Sequence, residues 1–337
     1  MKKPESAILG YTLAAVLLLS GCGGKEPGTG STSSAQSGSG TQTAAWRTGL
    51  GVVTGTEATE RAGTMTATVA AVLLDAEGKL ADVMLDELEL SVSADRSGTV
   101  TMPSDLRTKR QMGTDYPLAA VSSIQKGWAE QADALADHLT GKTLEEVKKL
   151  ETDKDGKATD VDLLSGCTIA VEPYCEAIVR ACENASALGA ANGDRVRLGI
   201  EAVTAGADLT ASEGKAVKAQ VDMTFAAVTL NRDDRVTSAI VDMTEPAMNV
   251  SGDGTVTAPG QVYTKLEQGD DYGMRKASGL GKEWYEHSEG YCSYLRGKDL
   301  LEVAKIPTDG LDVDLLSLCT IDTEDLHKAV LKAMKAE

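Results

Sequence analysis

"AAVLLDAEGKLADVMLD", residues 70–86, and "AAVTLNRDDRVTSAIVD", residues 226–242, stand 156 positions apart and share one pattern of apolar and polar residues. In each, two apolar runs flank a polar stretch, Asp75-Ala76-Glu77-Gly78 or Asn231-Arg232-Asp233-Asp234, which is turn chemistry between two strands. The same offset joins Thr108-Lys109 with Thr264-Lys265, Asp115-Tyr116 with Asp271-Tyr272, Trp128 with Trp284, and Gly141-Lys142 with Gly297-Lys298. "ETDKDGKATDVDLLSGCT" (151–168) then contracts to "PTDGLDVDLLSLCT" (307–320), and the offset falls to 152. A repeat of this length is a duplicated domain rather than a solenoid unit. Domains are expected at 46–187 and 193–335, joined by the Ala/Gly-rich "SALGAANGD".

Each copy predicts a β-hairpin followed by helices, an α+β plan in which a small antiparallel sheet packs against helices. Leu118, Val121, Ile124, Trp128, Ala132, Leu135 and Leu139 recur at three- and four-residue spacing, which predicts one helix over 118–139. Thr143 with Glu146 is a capping-box pair opening a shorter helix. Closing helices are expected over "EPYCEAIVRACENA" (172–185), with Pro173 in its first turn, and "DTEDLHKAVLKAMKA" (322–336), with acids there.

The chain has 337 residues and a formal net charge of -18, which leaves no basic footprint for nucleic acid. Residues 1–21 begin with Lys2 and Lys3, continue as an apolar run and end before Cys22, the pattern of a secretory signal. "LSGC" at 19–22 resembles a bacterial lipobox, which implies cleavage before Cys22, diacylation of its thiol and attachment at the extracytoplasmic face of the cell membrane. Residues 22–45, rich in Gly, Ser and Thr, read as a flexible tether of roughly 25 Å. Cys167, Cys175, Cys182, Cys292 and Cys319 form no Cys-x-x-Cys pair and read as small core hydrophobes.

His138, His287 and His327 occupy non-matching positions in the two copies, without ligand spacing around them, which removes the usual metal and acid–base arrangements. The remaining candidate is the turn repeated before each closing helix. Asp162-Leu163-Leu164-Ser165-Gly166-Cys167-Thr168 resembles the Asp-x-x-Ser-Gly-Ala-Thr signature of the FMN-binding domains of Rnf and sodium-pumping NADH:quinone oxidoreductase subunits. In that family a flavin transferase esterifies FMN through its phosphate to the final threonine. The resemblance implies Thr168 as acceptor and Asp162, Ser165 and Gly166 as recognition residues. Asp314, Ser317 and Thr320 match in the second copy, where Leu318 replaces the glycine and points to Thr168 over Thr320. It further implies an electron carrier without substrate chemistry of its own, served by a flavin transferase and a membrane electron donor.

Elementary chemistry is compatible with that role: an ester needs a hydroxyl on a turn, a glycine permits close approach, and a following helix N-terminus favours phosphate. The competing reading is a capped connection kept for folding, in a cofactor-free surface lipoprotein that binds a small ligand or a protein. Tyr116, Tyr272, Trp128 and Trp284 read as core anchors or as walls for a ring, and Lys109 and Lys265 as solvated lysines or as an offset to phosphate charge.

Overall fold

A computed structural model describes residues 45–205 and 209–336, and these belong to one compact unit. The expected signal segment, Cys22 and all of the tether except Ala45 lie outside the described residues. Among the described residues no helix is long and apolar enough to cross a membrane.

The first half runs β1 (Arg47–Ala58), β2 (Ala62–Leu74), β3 (Leu80–Ala94) and β4 (Val100–Thr101), an antiparallel sheet in sequential order. It continues with α1 (Lys109–Met112), α2 (Leu118–Val121), α3 (Trp128–Leu139), α4 (Leu144–Val147), α5 (Val161–Leu164) and α6 (Glu172–Glu183). The second half runs β5 (Arg195–Ala205), β6 (Val217–Leu230), β7 (Val236–Thr244), β8 (Ala247–Val250) and β9 (Val256–Thr257), again antiparallel, with β7 and β8 both paired to β6. Its helices are α7 (Lys265–Gln268), α8 (Trp284–Leu295), α9 (Leu300–Val303), α10 (Val313–Leu316) and α11 (Glu324–Lys335). The protein is therefore α+β, built on two antiparallel sheets.

Strand alternation sorts the side chains into layers. On β2, Met65, Ala67, Val69, Ala71 and Leu73 enter a core shared with Val221, Met223, Phe225 and Ala227 of β6. The intervening Ala70, Val72 and Leu74 pack instead on Trp128, Leu135, Ile178 and Ala181 from the helices. Each sheet thus lays one face on the other sheet and the opposite face under its own helices. This double cover makes Val69–Leu74 continuously buried, where a half-solvated strand would alternate. Thr48 of β1, Thr229 of β6 and Ser238 of β7 close a buried hydroxyl triangle between the halves, at 2.6–2.8 Å.

The hairpin turn forms as its composition predicts: the Asp75 carboxylate accepts from the amides of Glu77 and Lys79 at 3.0 and 2.8 Å, and Gly78 takes φ 81°. In the second half the counterpart of β3 is interrupted, because Pro246 has no N–H to give the ladder, and the chain splits into β7 and β8.

Two expectations are corrected. The helix over 118–139 is broken into α2 and α3: Ser122 is extended, Gln125 has φ 55°, and Gly127 caps α3 with its amide on the Glu130 carboxylate at 2.8 Å. Val121, counted in the apolar stripe, is 81% exposed. In addition β1 and β5, unannounced by the hairpin pattern, extend each sheet. Both carry glycines where the closing helix crosses: a Cβ on Gly51 would lie 2.0 Å from the Ala177 carbonyl oxygen, and one on Gly199 2.1 Å from that of Ala329.

Candidate functional site

The repeated turn is built by its own polar groups. Asp160 caps α5, accepting from the amides of Asp162 and Leu163 at 2.9 and 3.1 Å, and these bonds hold its carboxyl below the usual range. The Ser165 hydroxyl donates back to the Asp162 carbonyl at 2.8 Å, while the Asp162 side chain is exposed. Asp312 and Ser317 repeat both contacts around α10, with Ser317 donating to the Asp314 carbonyl at 2.7 Å. The cap is therefore the acid two positions before the one read as the motif's first residue.

Thr168 is half-buried. Its amide and hydroxyl both donate to Oε1 of Gln131, at 2.8 and 3.1 Å. Gln131 is fully buried on α3, and its Nε2 donates to the Ser122 hydroxyl and the Lys126 carbonyl, tying down the loop that breaks the helix. A hydroxyl that donates to a neutral amide oxygen keeps its own lone pairs free. In the second half His287 takes the place of Gln131: the Thr320 amide donates to Nδ1 at 3.2 Å, and Nε2 lies 2.8 Å from the Ser278 hydroxyl. Burial lowers the pKa of His287, in keeping with Nδ1 acting as acceptor. Thr320 is more exposed than Thr168. Gln131 was not singled out in the sequence, and His287 was weighed only for metal and acid–base roles; their shared offset of 156 was the available signal.

Gly166 faces protein. A Cβ there would stand 2.9 Å from that of Ala134 on α3. In the second half the pair is reversed, with Leu318 at the glycine position and Gly290 opposite; a Cβ on Gly290 would stand 2.4 Å from the Leu318 carbonyl oxygen. The glycine of the turn and the residue it packs on thus exchange size. Gly166→Leu is expected to destabilise the chain by about 2 kcal/mol through overpacking. Adding Ala134→Gly should recover part of that loss despite its own helix-propensity cost of about 1 kcal/mol, which urea unfolding of the two variants measures.

The start of α6 is also partly committed: the amides of Val171 and Glu172 donate to the Gly156 carbonyl at 2.7 and 3.3 Å. Gly156 belongs to the loop that the second half shortens. The helix N-terminus therefore offers a phosphate less than the sequence suggests.

Beside the turn lies a cavity of about 380 Å³, bordered by Ile169 and Ala170, the two residues after Thr168. Tyr116, Trp128 and Tyr174 supply aromatic surface to it, and Glu87 and Lys109 line it as well. Trp128 donates from Nε1 to the Tyr174 hydroxyl at 3.0 Å, and Tyr174 donates in turn to Glu87. Lys109 lies 2.7 Å from Glu87, 3.3 Å from Glu89 and 5.0 Å from the Tyr116 ring centroid. Burial opposes its charge, but Glu87 overrides this and holds its pKa at about 12. Burial and the Glu87 charge both drive the Tyr174 pKa upward, so the phenol stays protonated.

Lys109 and Lys265 are 9% and 6% exposed, which corrects the expectation of solvated lysines. Lys265 pairs with Glu245 at 2.7 Å and lies over the rings of Tyr272 and Trp284. Each ammonium enters the interior because a carboxylate and aromatic faces replace its water. Trp128 and Trp284 are core residues, and Trp128 also borders the cavity.

The five described cysteines are free thiols, four of them buried and Cys175 half-buried. Burial raises the pKa of each, to about 12 for Cys175 and Cys292, so none is poised as a thiolate. Among the described residues no group of three or more His, Cys, Asp or Glu side chains is placed to hold a metal ion.

No family model matches the chain, and no solved structure matches it. A 40-residue stretch is 48% identical to chlorophenol reductase of Desulfitobacterium hafniense, covering 12% of this chain and 12% of that protein. So short a match defines no shared fold.

Proposed function

We propose that the chain is a tandem duplication of an FMN-binding-like domain, anchored through Cys22 at the extracytoplasmic face of the membrane, that carries electrons on FMN esterified to Thr168. The observation supporting this reading is the placement of Thr168: a half-buried hydroxyl ending the Asp-x-x-Ser-Gly-Cys-Thr turn, followed directly by residues that border an aromatic-lined cavity. The residues present fit the group. Thr168 offers an oxygen with free lone pairs, and Tyr116, Trp128 and Tyr174 offer apolar surface to a planar ring. In the attachment step the threonine oxygen forms the new bond to phosphorus as the bond from phosphorus to the leaving group of a flavin-nucleotide donor breaks, and the hydroxyl proton passes to a base of the flavin transferase that catalyses the exchange. Bound flavin would supply the redox chemistry, receiving electrons from a membrane donor, while the chain positions it and shields it from water.

A second reading is favoured by the structural use of three of the motif's residues: Ser165 bonds the Asp162 carbonyl, Gly166 packs on Ala134, and Thr168 bonds Gln131. It is a cofactor-free lipoprotein that binds a small ligand or a protein. Mass spectrometry after co-expression with a flavin transferase separates the two. The flavin reading expects a yellow chain heavier by one esterified FMN, with the gain lost in Thr168→Ala and kept in Thr320→Ala. A colourless wild type of unmodified mass would leave the second reading standing.

A further inference from the structure

The two halves differ around the aromatic cavity. Glu87 and Tyr174, hydrogen-bonded there in the first half, are matched by Met243 and Leu326, both buried. Ala170, which borders the cavity, is matched by Asp322. Thr68 borders the cavity, and its hydroxyl makes no hydrogen bond among the described residues. Its counterpart Thr224 is sealed, with a buried hydroxyl that has no partner. The second half has thus replaced a polar wall by thioether and leucine, closing apolar side chains over an orphaned hydroxyl. The first half has kept three aromatic side chains, a neutralised Glu–Lys pair and a free hydroxyl around open space.

These features define a ligand class. A cavity of about 380 Å³ is within the range that holds small ligands. The Lys109 ammonium already has carboxylate partners at 2.7 and 3.3 Å, and Tyr174 is protonated, so an anionic ligand would find no uncompensated positive charge, while the second carboxylate, Glu89, is half-exposed and keeps its water. A flat uncharged ring system with hydrogen-bonding groups on its edge satisfies both the aromatic surface and the hydroxyl of Thr68.

We propose that this cavity seats a planar, uncharged fused ring in the first half only, with Glu87 and Tyr174 as the residues that distinguish it from the second half. On the flavin reading, on which this identification of the ring rests, the chain holds one isoalloxazine. Occupancy of the cavity does not require the ester, so the two can be tested apart.

The mature chain made without a transferase is titrated with lumiflavin, which lacks the phosphate, and quenching of lumiflavin fluorescence is followed. Saturable binding of one lumiflavin per chain is expected. It should weaken at least tenfold in Glu87→Met/Tyr174→Leu, which installs the second half's own side chains and leaves Lys109 paired with Glu89. Urea unfolding checks that this variant folds; should it not, Tyr116→Ala is expected to weaken binding by a similar factor. Absence of saturable binding, or binding unchanged in a folded variant, overturns the proposal even where mass spectrometry finds FMN on Thr168. Saturable binding that the variant loses supports it even where no FMN mass is found, in which case the esterified carrier fails and the ring site stands.

Discussion

Replacing Asp86 and Asp242 together by asparagine is expected to leave stability near that of the parent chain at pH 4 and to raise it by several kcal/mol at pH 7.5. The two aspartates hold matching positions on β3 and β7, both buried, with their carboxyls against the first turns of α1 and α7. Asp86 accepts from the amides of Glu87 and Arg110 at 2.8 and 3.1 Å, and Asp242 from those of Met243 and Leu266 at 2.7 and 3.0 Å. Burial outweighs these bonds and pushes each carboxyl up to about 6 from 3.8. For an acid raised in the folded state, the favourable contribution is complete below the unfolded pKa near 4. It is lost as pH climbs through about 6. At about 1.4 kcal/mol per pKa unit, the loss is about 3 kcal/mol for each group. Asparagine keeps the acceptor oxygen and cannot ionise. Exposed carboxyls such as Asp105 and Asp253 are lowered by their hydrogen bonds and act in the opposite sense, so the informative quantity is the difference between parent and variant. Urea unfolding across pH 4 to 7.5 measures it; parallel profiles would refute the expectation. The chain keeps these groups because they anchor the short helices that present Lys109 and Lys265 to their rings.

Gly51→Ala should destabilise the protein by about 3 kcal/mol, at the upper end for overpacking. Its new methyl would stand 2.0 Å from the Ala177 carbonyl oxygen and 2.4 Å from the Ala181 amide nitrogen, both helix backbone, so no side-chain rotation relieves it. The helix must move away from β1. Because α6 also carries Pro173 and Tyr174 to the cavity wall, lumiflavin affinity should fall along with stability. Gly199→Ala, at 2.1 Å from the Ala329 carbonyl oxygen, should cost a similar amount and leave lumiflavin affinity unchanged in the chains that remain folded. Gly260→Ala, with no atom within 4 Å of its new methyl, is the control and should stay within about 0.5 kcal/mol of the parent. Equal urea midpoints for Gly51→Ala and Gly260→Ala would contradict the close approach of helix and strand.

Much of the local structure was written in short-range chemistry. Alternating apolar residues and a turn set the hairpins of β2 with β3 and of β6 with β7; Thr143 with Glu146 set the start of α4; Pro173 marked the start of α6. These features depend on residues a few positions apart, so the sequence by itself determined them, together with the repeat that places Thr168 and Thr320 at equivalent turns. Contacts between distant residues decided the rest. Gly49, Gly51 and Gly55 lower the strand propensity of β1, which forms because β2 pairs with it and α6 needs bare backbone there. The stripe over 118–139 breaks because Gln131 bonds the loop and Gly127 caps α3, neither of which periodicity records. Lys109 and Lys265 are buried because carboxylates and rings converge on them from elements far along the chain. The cavity, likewise, exists only where β1, β2, β3, α3 and α6 meet around Glu87 and Tyr174: a sequence names its side chains, but open space depends on which of them fail to fill it.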